Sequence, residues 1–283
     1  MVDKAYFSDI LHEEVEGTAF LTQGQIGPIY RLETQRGRYL LKTSKSSDRL
    51  ETEANMLEDI KKYDITVPQV LDVSKTHLLM EYIEEEAVGT LRQEEMAAQT
   101  LAKLHSVGND AHMYGYWYDT TIGPFKQRNE QTQYHWALFW AQMRLIPMAQ
   151  RCYESGVLPK REMGRIEALC SKLYTRIEMR KIVPSLIHGD LWSGNILFNM
   201  NSAVLIDPAL YFADREVELA FIAMFNTFGG RFWEAYTQIH TLSEDFYATK
   251  VPLYQLYYYL VHVAIYGESY LTGTMNCLER LKV

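Results

Sequence analysis

"LIHGDLWSGNILF", residues 186–198, puts the apolar residues of a strand around side chains that a strand does not need. Leu186 and Ile187 lead into His188, Gly189 and Asp190; Trp192, two small residues and Asn195 follow, before Ile196, Leu197 and Phe198. Burial accounts for the two apolar ends. It does not account for an acid, an amide and an indole between them. A second acid, Asp207, follows in "AVLIDPA", residues 203–209. Folding the intervening chain as a hairpin about Asn201 pairs 198 with 204, 196 with 206 and 195 with 207. The Asn195 amide oxygen and the Asp207 carboxylate then stand together, with Asp190 one short loop away. So sparse a set of hard oxygen donors suits Mg²⁺, which keeps several waters and takes its other ligands from phosphates. Asp190, outside the hairpin, is the group expected to accept a proton from an attacking hydroxyl. His188 is expected to bond backbone rather than to act chemically.

A Mg²⁺–nucleotide also needs a cation on its phosphates, usually a lysine on a strand. Lys42 ends the strand-like "RYLLK", residues 38–42, which a turn at 35–37 joins to a strand at 28–34. A helix is expected over 48–62. At about 100° per residue, Glu53 is centred in the stripe of Leu50, Met56, Leu57 and Ile60, and Glu51 points about 160° away into solvent. A buried carboxylate without a partner is costly, so Glu53 calls for a cation, and Lys42 at the end of the preceding strand is the candidate. "VPQVLDV" and "THLLMEYIE" read as two further strands. From about residue 90 the period is helical, with long stretches near 130–155, 161–181, 215–238 and 252–271 and a strand island at 186–207.

The bulk properties narrow the partners. In 283 residues, 47% are hydrophobic and 23% charged, ordinary proportions for a globular chain long enough for two lobes. A net charge of −8 disfavours nucleic acid, which demands clustered Lys and Arg. Cys152, Cys170 and Cys277 form no metal or disulfide motif. The N-terminal stretch lacks a signal peptide's pattern, and the longest apolar run, "YYYLVHVAIYG", is too short to span a bilayer. The expectation is a cytoplasmic protein with no membrane partner, monomeric or weakly dimeric.

Strand lysine, helix glutamate, H-x-D-x-x-x-x-N and a following aspartate resemble, in order and spacing, the protein-kinase-like phosphotransferases. The resemblance implies an α+β, two-lobed fold with ATP as donor. Residues 1–83 would form a small antiparallel β-sheet lobe with one key helix, and 84–283 a larger helical lobe with the catalytic loop and acceptor site. It further implies a hinge at Glu81, Tyr82 and Ile83 bonding the adenine edge, with Met80 behind the base, and a phosphate loop "TQGQIGPIY" with Gly24 and Gly27. Protein kinases place a long peptide-docking segment after the metal aspartate. Here only "PALYFA" separates Asp207 from Asp214–Arg215, so a small acceptor is expected.

Within that superfamily the chain resembles the fructosamine (ketosamine) kinases over about residues 18–272. The signature H-G-D-L-W-S-G-N stands at His188–Asn195. "VLIDPALYFADREVELAF", "RLETQRGRYLLK", "ETEANML", "ITVPQVL", "WYDTTIGPFKQRN" and "FWAQMRLIPM" follow the family's order. The resemblance implies phosphorylation of a sugar adduct on an amine at the sugar 3-hydroxyl. Trp192 would stack on the sugar, and Asp119 would also serve the acceptor. Thr120 stands where the family usually has Asn, and the phosphate loop reads Gln23–Gly24–Gln25 with Pro28 in place of the usual paired glycine and Asn. Asp214, Arg215 and Glu218 are expected to brace the catalytic loop, and Tyr257–Tyr259 to be core. The alternatives are an aminoglycoside- or choline-type kinase, against which the intact HGDLWSGN speaks, and an inactive nucleotide-binding pseudokinase.

Overall fold

Alternation in short β-branched and aromatic runs, followed by 3.6-residue periodicity, produces a strand-rich first third and a helical remainder. The computed structural model of the protein describes residues 2–129, 135–175 and 182–283. The chain begins with helix α1 (Lys4–Leu11), strands β1 (Gly17–Gln23), β2 (Pro28–Glu33) and β3 (Arg38–Thr43), helix α2 (Asp48–Lys61), and strands β4 (Val70–Val73) and β5 (His77–Glu81). Next come α3 (Thr90–His105), β6 (Thr120–Ile122), β7 (Phe125–Gln127), α4 (Trp136–Phe139), a π-helix over Trp140–Leu145, α5 (Ile146–Glu154) and α6 (Lys160–Cys170). Four three-residue strands follow: β8 (Ser185–Ile187), β9 (Ile196–Phe198), β10 (Ala203–Leu205) and β11 (Tyr211–Ala213). Helices α7 (Glu216–Phe225), α8 (Gly230–Thr237), α9 (Val251–Tyr266) and α10 (Leu271–Arg280) complete the chain. Of the stretches expected to be helical, 130–134 and 176–181 lie outside the described residues.

Two compact units result: residues 1–88 with 196–208, and 89–195 with 209–283. The first carries an antiparallel sheet of order β1-β2-β3-β5-β4. Strand alternation sends Leu41 and Leu79 to one face, where they and Leu32 pack on Phe7 of α1. It sends Lys42 to the opposite face, paired across the sheet with Ile29 and Leu78. Helix α2 is capped by the Ser47 side chain, which accepts from Arg49 N, and it buries Leu50, Glu53, Ala54, Met56, Leu57 and Ile60. Glu51 is half-buried rather than fully exposed.

The β9–β10 hairpin groups with the first unit, although the sequence reading placed it in 84–283. Leu205 N–H bonds Thr66 O, and Glu86 N–H bonds Phe198 O, at 3.0 Å each. Its register also corrects the expectation by one residue: Phe198 pairs with Ala203, Leu197 with Val204 and Ile196 with Leu205. The cause is the turn. Asn199 Oδ1 accepts from Asn201 N at 3.0 Å and Ser202 N at 2.8 Å, and Asn199 N donates to Ser202 O. An Asn side chain that mimics a turn's backbone closes the loop at 199–202 instead of about Asn201.

In the second unit, α9 is buried almost all round and packs against α5, α7 and α10. "PALYFA", read as a plain link, contains β11, which pairs antiparallel with β8 (Tyr211 with Ile187, Phe212 with Leu186). The pair seats the 188–195 loop at the end of β8. Tyr257 and Tyr258 are core, at 2% and 1% exposure, whereas Tyr259 is only half-buried.

Candidate active site

In the first unit, the expected Lys42–Glu53 pair forms, with Lys42 Nζ 2.7 Å from Glu53 Oε1. The same ammonium is also paired with Asp207 Oδ1. Asp207 reaches it by leaving the extended region at φ +53°, a conformation that Asp tolerates better than most residues. Burial would lower the Lys42 pKa; Asp207 and Glu53 more than offset it, and the ammonium titrates above its usual range. Burial, with repulsion from Asp207, raises Glu53 against the pull of Lys42. One cation thus serves two carboxylates, Glu53 buried and Asp207 half-buried.

The β1–β2 turn holds Gly24 and Gly27, with Gly24 N–H bonded to Gly27 O at 3.0 Å. A Cβ at Gly27 would stand 2.0 Å from Thr43 O, so this turn lies directly on the end of the strand that bears Lys42. At the expected hinge, Met80 is buried and the Glu81 N–H is committed to Gln69 O at 2.9 Å. That amide is therefore not open to a base edge, and Tyr82 and Ile83 carry the hinge's remaining N–H groups.

In the second unit, Glu218 organises the loop. Its Oε2 accepts from His188 N at 2.9 Å and its Oε1 from Gly189 N at 2.7 Å. His105 Nε2 lies 3.1 Å from Oε2, and His105 Nδ1 is 2.6 Å from the Tyr236 hydroxyl. Burial lowers the His105 pKa against the pull of Glu218. A neutral ring that donates from Nε2 to Glu218 and accepts from Tyr236 satisfies every partner. Burial would raise Glu218; the bonds from His105 and the loop backbone hold it below its usual range. Gly189 takes φ +84°, and a Cβ there would stand 2.4 Å from Ala209 O. His188 is fully buried and its Nδ1 accepts from Asp190 N at 3.3 Å.

Asp190 and Asn195 are brought together: Asn195 Nδ2 donates to Asp190 O at 2.8 Å and to Asp190 Oδ2 at 3.3 Å. These bonds commit the NH₂ end of the amide, so Oδ1 is the end that could bind a cation. An amide oxygen here, and the Asp207 carboxylate in the first unit, are each hard donors of the kind that Mg²⁺ takes. Trp192 is 44% exposed and its indole lies over Gly194, so it is not core packing. Asp119 has both carboxylate oxygens engaged near the β6–β7 hairpin, by Asn129 N at 2.9 Å and Lys126 Nζ at 2.8 Å. Those two donors hold its carboxyl below the usual range against burial. Thr120 is buried and accepts from Asn129 Nδ2 at 2.8 Å.

Of the three residues expected as braces, Glu218 does so directly. Asp214 instead holds Lys250 and Tyr254, and Arg215 bonds Thr241 O. His105 and Tyr236 were not singled out from the sequence. The available signal was a histidine on the apolar face of α3, one turn after Leu101.

The sequence profile of the fructosamine kinase family matches residues 5–283. A probable ketoamine kinase of Enterococcus faecium is 31% identical over 263 residues, 90% of this chain and 92% of that protein. A Thermobifida fusca crystal structure assigned as a fructosamine-3-kinase superposes with a TM-score of 0.88 at 27% identity, covering 99% of this chain and 98% of the other. An ADP-bound aminoglycoside phosphotransferase, APH(2'')-Ib, shares the fold with a TM-score of 0.66 at 16% identity, covering 99% and 98%.

Proposed function

The chain belongs to the fructosamine kinase family, and we propose that it transfers the γ-phosphoryl group of ATP to a sugar hydroxyl, O3, of ketosamines. Fructosamine, ribulosamine and erythrulosamine adducts are the acceptor class, and removal or repair of glycation is the activity. The observation that carries this reading is the Lys42 ammonium held between Glu53 and Asp207. A buried cation positioned by two carboxylates is what orients the α- and β-phosphates of a nucleotide.

Glu53 positions Lys42. Gly24 and the Gly27 turn cover the phosphates, while the backbone beyond Glu81, at Tyr82 and Ile83, meets the adenine edge. Asn195 and Asp207 would hold Mg²⁺, which would supply charge neutralisation on the phosphate oxygens. Asp190 accepts the proton as the acceptor oxygen bonds to the γ-phosphorus; the β–γ bridging bond breaks and its electron pair leaves with ADP. Asn195 and the Glu218-anchored backbone keep Asp190 in place, so little reorganisation is needed during transfer. The exposed Trp192 indole offers a face for the C–H side of a sugar and excludes water. Asp119 serves the acceptor through the hairpin region it ties to Asn129. Nucleotide binding is thus assigned to 1–83, aided by Asp207, and catalysis and acceptor binding to 84–283.

The test supplies ATP and Mg²⁺ with fructosyl-, ribulosyl- or erythrulosyl-lysine, kanamycin or choline, and follows ADP release. Turnover is expected on the ketosamines. Turnover on kanamycin or choline alone would replace this reading with an aminoglycoside- or choline-type kinase. ATP binding without turnover on any acceptor would make the chain a pseudokinase.

A further inference from the structure

In the second unit, the π-helix over Trp140–Leu145 carries Arg144, which is 1% exposed. A π-helical segment is rare and is found preferentially at functional sites. Arg144 Nη1 donates to the carbonyls of Arg128 and Met143, and Nη2 donates to Asn129 Oδ1 at 2.6 Å. All three acceptors are neutral, and among the described residues the guanidinium has no carboxylate partner. It stacks on the Tyr211 ring at 4.1 Å and on Phe139 at 4.7 Å. Among the described residues, Arg144 Nε, Trp140 Nε1 and the Tyr211 O–H are buried donors with no acceptor, and Arg144 itself lies within reach of the Tyr211 oxygen. Trp140 also packs on Tyr257, with ring centroids 5.3 Å apart. A buried charge with no counter-ion among the described residues, beside buried donors that lack acceptors, calls for an acceptor that carries negative charge.

The catalytic loop shares this neighbourhood: Tyr211 pairs with Ile187, the residue before His188, and the Tyr258 hydroxyl donates to Gly189 O at 2.9 Å. Burial raises the Tyr257 hydroxyl pKa; Arg144 opposes that rise, and Tyr211 and Asp190 add to it. One phenol therefore feels both the guanidinium and the carboxylate expected to act as base.

We propose that Arg144, Tyr211 and Trp140 form an acceptor subsite for a carboxylate close to the glycated nitrogen, so that ketosamines on the α-amino group of a free amino acid are preferred substrates. The proposal rests on the ketosamine reading above. The sugar supplies the hydroxyl to Asp190, and the carboxylate of its carrier supplies the missing acceptor to the buried donors. An adduct on a lysine side chain holds its carboxylate a full side chain away and gains less.

The experiment compares fructosyl-glycine with fructosyl-glycinamide, which differ only in the charge of the terminal group, using the whole protein with ATP and Mg²⁺. Wild type should favour the acid by about tenfold or more in kcat/KM, the range for a hydrogen bond to a charged group. Arg144→Gln should bring the ratio near one, and Arg144→Lys should keep part of it. Tyr211→Phe guards against misfolding: it keeps the ring on which Arg144 stacks and removes only a hydroxyl whose own O–H has no acceptor among the described residues, so Tm should change little while the acid/amide ratio falls severalfold. Equal turnover of acid and amide by wild type overturns the subsite alone. So does a ratio that survives Tyr211→Phe while Tm falls, the result expected if a buried water satisfies the hydroxyl. No turnover on either adduct, with ATP still bound, overturns the ketosamine reading and the subsite together.

Discussion

The two units hold their reactive side chains by opposite means. In the first, Lys42, Glu53 and Asp207 are held by charge, one ammonium between two carboxylates. In the second, the 188–195 loop is held by geometry: Glu218 takes two backbone N–H groups, and His105 and Tyr236 lock Glu218 from behind. A charge-held cluster can exchange one partner for another, which suits the phosphate-binding role proposed for Lys42. A backbone-held loop cannot rearrange without stranding buried donors, which suits the role of base proposed for Asp190. Removing a charge should therefore have different consequences in the two units.

The largest effect is expected at Asp190. Asp190→Asn should lower kcat by about 10²–10⁴-fold, the usual contribution of a positioned general base. ATP affinity should stay nearly unchanged, because the Asn195 bond to the residue 190 carbonyl persists. Asp207→Asn should instead weaken Mg²⁺-dependent ATP binding and remove one of the two partners of Lys42. Nucleotide titrations and steady-state kinetics on both variants check the contrast; interchangeable behaviour would erase the distinction between the units.

Next comes the charge cluster. Lys42→Met leaves two adjacent carboxylates without a cation and should destabilise by about 3–5 kcal/mol, as broken buried ion pairs do. Glu53→Gln leaves Lys42 paired with Asp207 and removes a carboxylate whose ionisation burial already disfavours. Its effect on stability should be small, although activity falls. The sign follows from linkage: a raised native-state carboxyl pKa means that the native state binds more protons, so this group's contribution declines as pH rises from about 4.5 toward its native value. Thermal melts of wild type and Glu53→Gln should thus compare most favourably for the variant near neutral pH. In activity the two substitutions should be strongly non-additive, because they share one interaction.

A smaller loss is expected when the geometric brace is loosened. Glu218→Gln keeps one acceptor oxygen but turns an NH₂ group toward a backbone donor, at about 1–3 kcal/mol for the stranded group. The brace also carries a pH signature. The depressed His105 pKa means that the native state binds fewer protons than the unfolded chain below the ordinary histidine value of about 6.5. Stability should therefore fall as pH drops through that value toward the native pKa, and His105→Gln should flatten this part of the Tm–pH curve.

How much of this could be read in advance follows the same division. The Lys42–Glu53 pair was legible because both partners sit on regular elements, where strand alternation and the 100° helical step decide which face each side chain takes. The H-G-D-L-W-S-G-N loop was legible as a local string. The hairpin register was not, because the Asn199 side chain chose the turn, and one residue is enough to shift every pair. Helix α1 was missed although Phe7, Ile10 and Leu11 have helical spacing; its role depends on a sheet that forms up to 79 residues into the chain. The His105–Tyr236 bond joins residues 131 apart and leaves no local pattern. The π-helix around Arg144 is hidden because its period differs from 3.6.

The finest test of the charge-held unit is Glu51, two residues from Glu53 on the same helix. Helical arithmetic puts it on the far side of α2 from the apolar stripe, and it is half-buried, with neither Lys42 nor Asp207 as a partner. It contributes to the field that raises the pKa of Lys75, whose direct partner is Asp48. Glu51→Gln removes that long-range attraction and one acidic residue from the first turn of α2, where the helix dipole favours negative charge. Both contributions are weakened by solvent, and the change in stability should stay within about 0.5 kcal/mol, as for most substitutions away from a core or network. Activity should be unchanged. The comparison that matters is with Glu53→Gln: the same chemical change, moved by two residues, should pass from a near-complete loss of turnover to none. A severe loss from Glu51→Gln with none from Glu53→Gln would mean that the carboxylate serving Lys42 during catalysis comes from the other face of the helix, and that the cluster at Glu53 is an ordinary buried ion pair.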